Sequence, residues 1–455
     1  MTVRERAALG KSAAEAMLGL GSETRDRALE AIARALKAGD AEIARENAAD
    51  LEAAERDGLP GPLLKRLAFN DRKRAGAIEG VQALRRLPDP VGRVLSAREL
   101  DEGLVLRQVT CPIGLIAMIF ESRPDALVQM ASLCAKSGNA ILLKGGREAA
   151  RTNKVLSSLI AKAGEEAGLP SGWLGAVETR EEIAELIELD GLVDLVVPRG
   201  SKEFVASIQR TSRIPVLGHS DGVCHVYLHE DADVEMAVAV AVDSKVQSPA
   251  TCNAAEVLLV HSSFAERGLA RVAEALRAAK VRLHPCPRAA IILERSGIAP
   301  LEGERDGASP ARWAIMDGNW SVEYLDYDMA VKIVDSLDEA IAHVNAFGSH
   351  HTDSIVTVSA DAAARFMDRV DSASVYRNAS TRFADGYVYG LGAEIGISTG
   401  KLHARGPVGL EGLCTYKWKL EGSGQILAPY ASGQKRYLHR ELPREPAKDL
   451  PGEPS

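Results

Sequence analysis

A chain of 455 residues with 46% hydrophobic and 26% charged residues has the composition of a folded globular protein, and at roughly 150 residues per domain it has room for two or three domains. Its 55 basic and 63 acidic residues leave a net charge of -8, and no basic run of the kind that holds nucleic acid is present. No window approaches the roughly 18 uninterrupted apolar residues of a membrane span, so neither nucleic acid nor a membrane is an expected partner.

The opening MTVRERAALGKSAAEAM is charged and helix-prone without an apolar signal core, which makes the cytoplasm the expected location. Through roughly residue 90 the pattern is helical: Leu29, Ile32, Ala33 and Leu36 recur at the spacing of one helix face within a highly charged stretch. GRVLSAREL and LVLRQVT follow, two extended runs on either side of the turn signal Asp101-Glu102-Gly103, which predicts a hairpin near 92–112. Apolar runs then alternate with amphipathic helices: IGLIAMIF (113–120), AILLK (140–144), WLGAV (173–177), LVDLVV (192–197) and IPVLG (214–218). Buried strands spaced by crossover helices predict a parallel, doubly wound α/β sheet. A first domain is expected over 1–226.

A second α/β unit is expected over 227–371, with a helix at 233–245, the strand AEVLLV (255–260), a helix at 263–279 and a strand AAIIL (289–293). Residues 372–407 are rich in glycine, and GLCTYKWKLEGSGQI (412–426) reads as extended. Segment 372–430 is therefore expected to leave the second unit and supply a late strand, and the proline-rich, charged stretch 442–455 is expected to be a disordered tail.

No G-x-G-x-x-G follows a predicted strand. The nearest imitation, Gly390-Leu-Gly392-Ala-Glu-Ile-Gly396, has one residue too many and opens no evident helix. A stronger anion candidate is Arg199-Gly200-Ser201, where a buried strand delivers the chain into a helix whose free N–H groups can face a phosphate; an ordinary strand-to-helix turn explains that spacing equally well. Lys144 and Arg147 place cations at a strand end where enzymes using NAD usually carry an acid, which favours NADPH/NADP+, unless both are solvated loop charges. Ser122-Arg123-Pro124 forms a third polar helix mouth at the same kind of edge.

The six cysteines lack C-x-x-C spacing, so neither a disulfide framework nor a zinc ribbon is indicated. Cys111 and Cys134 lie in apolar patterns and read as small core residues. Cys252 differs, because SPATCNA is a polar loop just ahead of a buried strand, a setting in which a thiolate can be exposed. His219, Cys224 and His225 have ligand chemistry, but no second cluster completes a metal set and loop residues explain them; His350-His351 reads as a polar loop pair. No metal is expected.

SKVQSPATCNAAEVLLV resembles the nucleophile segment of the aldehyde dehydrogenase superfamily, CPIGLIAMIFESRPDALVQMASLCAKSGNAILLKGG its first strand, helix and cofactor lysine, and WSVEYLDYDMAVKIVDSLDEAIAHVNAFGSHHTDSIV its glutamate-bearing segment. FESRP, VVPRGS, HSDGVCH, VYRNASTRFADG, GLGAEIGIS and KLHARGPVGL resemble the branch of that superfamily whose members reduce L-glutamyl 5-phosphate. The resemblance implies an aldehyde-dehydrogenase-like α/β fold with a Rossmann-type cofactor domain, a catalytic domain carrying the cysteine, and a small β oligomerisation arm made from the hairpin and 412–426.

By the same resemblance, Cys252 matches the nucleophile, Lys144 the cofactor-ribose lysine and Glu323 a nicotinamide-ribose glutamate. The oxyanion-hole asparagine falls near Ser122, and the glutamate that activates water in thioester-hydrolysing members falls near His219. A reductase acting on an acyl phosphate must protect its thioester from water, so the second absence fits reduction. The substrate's phosphate and α-carboxylate call for arginines: Arg123, Arg382 and Arg405 are the candidates, with Asn378 and Ser380 beside them. A functional link to glutamate 5-kinase and a homodimer or homotetramer are implied as well. Two alternatives stay open: a nonphosphorylating semialdehyde dehydrogenase, and a noncatalytic protein that kept the fold.

Overall fold

A computed structural model of the chain describes residues 1–177, 179–219, 221–298, 318 and 320–444. Five helices open it: α1 Val3–Met17, α2 Ser22–Ala38, α3 Asp40–Arg56, α4 Gly61–Leu67 and α5 Asp71–Arg86. Thr2 and Glu5 form a reciprocal capping box at the start of α1, and α2 buries Leu29, Ile32, Ala33 and Leu36, the face its spacing predicted.

The hairpin follows as β1 Val94–Asp101 and β2 Leu104–Pro112, with Gly103 taking the left-handed turn conformation at φ 70°. Next come β3 Leu115–Phe120, α6 Pro124–Ser137, β4 Ala140–Lys144, α7 Ala150–Glu166, β5 Leu174–Ala176, α8 Arg180–Leu186, β6 Leu195–Arg199 and α9 Lys202–Thr211. β7 Cys224–Leu228, α10 Val234–Val246, β8 Ala255–His261, β9 Arg282–Pro285, β10 Asp328–Val334, β11 Thr352–Val356 and β12 Ser374–Arg377 follow in turn. The last strands are β13 Gly396–Ser398, β14 Gly406–Val408, β15 Cys414–Glu421 and β16 Arg440–Glu441.

Two compact units result. Unit 1 holds Met1–Leu217, Leu391–Gly396 and Val408–Ser455; unit 2 holds Gly218–Gly390 and Ile397–Pro407. Unit 1 carries a parallel sheet in the order β5-β4-β3-β6 and an antiparallel sheet in the order β15-β2-β1-β16. Every residue of β3 and β4 is buried, as expected for strands covered by helices on both faces. Unit 2 carries a parallel sheet in the order β12-β11-β7-β8-β10-β9, whose strands β7 and β8 are also buried throughout.

Several expectations change. Residues 289–293 are not a strand but part of a helix, Pro287–Arg295, because Pro287 opens its first turn and Cys286 Sγ accepts the Ala289 N–H at 3.4 Å; Ala289, Ala290 and Leu293 then face inward at helical spacing. IPVLG (214–218) contributes only one isolated parallel bridge, Val216 to Val196, since Pro215 lacks a ladder donor. The first crossing between units falls after Leu217, where an end near Val226 was expected, so β7 and the His219 loop belong wholly to unit 2. The expected return segment 372–430 is divided: 372–390 and 397–407 stay in unit 2, and 391–396 and the chain from 408 join unit 1. Of the expected tail 442–455, residues from 445 onward lie outside the described residues.

Candidate active site

Unit 1 contains a cavity of about 650 Å³ at the carboxyl ends of its parallel strands, lined by Phe120, Ser122, Lys144, Glu148, Ser201 and Phe204 among others. The order β5-β4-β3-β6 reverses direction at β3, and crevices of doubly wound sheets open at such a reversal. Lys144 ends β4 and is 7% exposed. Ser201 is the N-cap of α9, so the positive end of the helix dipole meets the cavity there.

Two carboxylates that no sequence signal had singled out share this cavity. Glu121 Oε2 accepts the Ser201 N–H at 3.2 Å, and Glu148 Oε1 accepts both the N–H and the hydroxyl of Ser122, each at 2.6 Å. Gly146 and Gly200 make room for them: a Cβ would stand 1.9 Å from Glu148 Oε1 at the first and 2.8 Å from Glu121 Oε2 at the second. Ser122, held at φ 45°, therefore spends its donors inside unit 1. Arg199, at the end of β6, donates from Nη1 to the Ile395 carbonyl at 3.2 Å. Arg123 pairs with Asp125 at 3.0 Å.

In unit 2, Cys252 sits half-buried in the loop entering β8. Local bonds shape that loop: Thr251 Oγ1 donates to the Ser248 carbonyl at 2.7 Å and the Ala254 N–H to the Thr251 carbonyl at 2.9 Å. Cys224 Sγ donates to the Cys252 carbonyl at 3.3 Å, and Gly222 packs so closely that a Cβ on it would lie 2.2 Å from the same oxygen. The other cysteines are in different surroundings: burial pushes the Cys224 and Cys134 thiols far above their ordinary value, so both stay protonated.

Two histidines meet the nucleophile candidate. One ring nitrogen each of His219 and His351 and the sulfur of Cys252 lie within 4.8 Å of one another, and the two rings cross edge-on with centroids 5.0 Å apart. The sequence had grouped His219 with Cys224 and His225. The structure instead sends His225 to Asp353, at 2.8 Å with both side chains fully buried, and brings in His351, half of the supposed polar loop pair. Only its place immediately ahead of a buried strand could have marked His351.

The expected substrate residues are partly spent on structure. Asn378, at φ 53°, clasps the Thr357 backbone, accepting its N–H at 2.9 Å and donating to its carbonyl at 3.0 Å. Ser380 lies 3.3 Å from the Ser244 hydroxyl, Arg382 Nε donates to Gln247 at 2.8 Å and Asn253 donates to the Ala384 carbonyl at 3.0 Å. Segment 378–385 is thus laced to both flanks of the cysteine loop. Arg405 pairs with Asp371 at 3.0 Å, and the Lys401 and Arg405 charges beside Asp371 hold its carboxyl below the usual range. Glu323, in unit 2, is two residues from Leu325, whose N–H donates to Glu256. Glu256 itself is fully buried and bonded to Lys245 at 2.7 Å.

Residues 3–287 match the model of the aldehyde dehydrogenase family, and the chain belongs to that family. It is therefore an enzyme of the oxidoreductase class, in a family that uses nicotinamide nucleotides. A gamma-glutamyl phosphate reductase of Pelotomaculum thermopropionicum is 51% identical over 98% of this chain and 99% of its own, and one of Methanosarcina acetivorans 47% identical over 95% and 96%. The crystal structure of the gamma-glutamyl phosphate reductase of Thermotoga maritima superposes with a TM-score of 0.87 at 36% identity, covering 94% of this chain and all of that one. Within its family the chain belongs with the gamma-glutamyl phosphate reductases. An acetylating aldehyde dehydrogenase of Geobacillus thermoglucosidasius shares the fold at 19% identity and a TM-score of 0.61.

Proposed function

We propose that the protein reduces L-glutamyl 5-phosphate to L-glutamate 5-semialdehyde and phosphate with NADPH, the second step of proline biosynthesis from glutamate, through a thioester on Cys252. The observation that carries this reading is the half-exposed Cys252, fixed by Gly222 and Cys224 at its carbonyl and by segment 378–385 around its loop. The Cys252 thiolate attacks the acyl carbon and the C–O bond to phosphate breaks, the electron pair leaving with the phosphate. NADPH, when bound, would supply the hydride that reduces the thioester carbon. The Cys252 N–H is the proposed donor to the oxyanion, and C–S cleavage then frees the aldehyde and restores the thiolate.

Reduction is favoured over hydrolysis because Glu256, four residues after Cys252 in the chain, is fully buried in a pair with Lys245 rather than exposed to water. Lys144, at the mouth of the unit 1 cavity, is the residue proposed to hold the cofactor's 2'-phosphate, with Ser201 and Gly200 at the helix mouth. Glu323 is proposed for the nicotinamide ribose, and Arg382, Arg405 and Arg123, with Asn378 and Ser380 shaping the loop, for the substrate's anionic groups.

Among the described residues no helix is long and apolar enough to cross a membrane, and the cytoplasm is the proposed location. An unstable acyl phosphate makes a functional link to glutamate 5-kinase part of the proposal. β15 forms an edge of its sheet with Tyr416, Trp418 and Leu420 exposed, which supports assembly into a homodimer or homotetramer.

Cys252→Ala is expected to fold and to lose phosphate- and NADP+-dependent oxidation of glutamate semialdehyde by at least ~10³-fold. Turnover that survives the substitution, or carboxylate formation without phosphate, overturns the mechanism.

A further inference from the structure

Three side chains of metal-ligand type converge in unit 2 from segments far apart in the chain. Cys252 precedes β8, His219 precedes β7 and His351 directly precedes β11, and these strands are neighbours in the order β11-β7-β8. The cluster thus sits at the amino edge of the sheet. Atoms that all lie within 4.8 Å of one another share a point no more than about 2.8 Å from each, so zinc bonds of about 2.0–2.1 Å to nitrogen and about 2.3 Å to sulfur need only sub-ångström side-chain shifts.

The surroundings suit a ligand. Nδ1 of His219 is bonded to the Ile397 carbonyl and Nδ1 of His351 to the Thr352 hydroxyl, each at 2.8 Å, which fixes both rings as the outer bonds of metal-binding imidazoles do. His351 is 1% exposed, and its Nε2 is buried without a hydrogen-bond partner among the described residues, an arrangement that a ligand at the cluster would satisfy. His219 and Cys252 are partly exposed.

We propose that His219, Cys252 and His351 form a binding site for a soft divalent cation of the zinc class, which caps the Cys252 sulfur reversibly. On binding, the S–H bond breaks, its electron pair stays on sulfur to form the metal bond and the proton passes to solvent; nothing is oxidised or reduced. A sulfur so held cannot attack an acyl carbon, so the ion opposes whatever reaction Cys252 performs and competes with the acyl substrate for it.

Binding is read directly on the full-length protein, independently of which reaction Cys252 serves. Cobalt(II) added to chelator-treated enzyme is expected to give a near-ultraviolet thiolate-to-cobalt band that zinc abolishes. Cys252→Ala, in a half-exposed loop, is expected to lose the band and to weaken zinc at least about tenfold in competition with a chromophoric chelator. His351→Gln and His219→Gln, each checked for folding by circular dichroism, are expected to weaken zinc by a similar factor. Zinc affinity unchanged in Cys252→Ala, or the absence of a thiolate band in the wild type, overturns the site. A tenfold loss in the cysteine variant with none in either histidine variant also overturns it, leaving a thiol that binds metal alone.

Discussion

The two parallel sheets place their chemistry at opposite edges. In unit 1 the cavity opens at the carboxyl ends of β3, β4 and β6, where doubly wound sheets usually receive ligands; its charged groups, Glu121, Lys144, Arg147 and Glu148, come from those strand ends, while Leu63 of α4, Ile183 and Ala184 of α8 and Ile208 of α9 complete the wall. In unit 2, Cys252, His219 and His351 gather at the amino ends of β8, β7 and β11. The charges of the first site are legible locally, because a strand and the turn after it bring their own side chains. The second exists only once non-consecutive strands have paired. The two also differ in how they treat charge: unit 1 settles carboxylates, Glu121 and Glu148, on the same donors an anion would use, whereas unit 2 buries Glu256 against Lys245.

That contrast can be broken experimentally, most strongly at Gly222. Alanine there would press a Cβ against the Cys252 backbone, and since a misplacement of about 1 Å can cost ~10²-fold, Gly222→Ala is expected to lower kcat by that order with the fold retained. A kcat near wild type would mean that the loop yields and that Cys252 is not held by this contact.

In unit 1 the matching substitution is Lys144→Glu, which reverses a charge at the cavity. A loss of roughly tenfold or more in kcat/KM for NADPH, with NADH little changed, is expected if this residue meets the 2'-phosphate. Equal losses for both nucleotides would assign Lys144 to their common part.

The smallest effect is expected from Glu121→Gln. It keeps the shape and can still accept the Ser201 N–H, but removes a negative charge from a helix N-terminus, so the nucleotide KM is expected to fall two- to fivefold, in line with about 0.3–1 kcal/mol for a charge in that position. A rise in KM would turn the comparison around and make the Glu121 carboxylate a cofactor ligand.

The local pattern of residues announced much of this. The hairpin, the buried runs of β3, β4 and β8 and the inward face of α2 each follow from spacing that any folded context would keep, and the polar loop around Cys252 stood out because it interrupts such a pattern. Residues 289–293 were misread because a short apolar run suits either element, and the cap at Cys286 and Pro287 decided for a helix. Arg199 illustrates a different limit, since its charge was legible but its direction, toward Ile395, was not.

What the sequence determined by itself is the alternation of buried strands and amphipathic helices, the singular setting of Cys252 and the motifs that mark the family, all properties of residues near one another in the chain. The tertiary structure alone decided that His351 rather than His225 stands with His219 at the cysteine, that Glu121 and Glu148 occupy the helix mouths, and that Asn378 serves the backbone of Thr357. The physical reason is that a side chain's partners across a sheet depend on strand order and register, and these are fixed by the packing of the whole core rather than by any one segment.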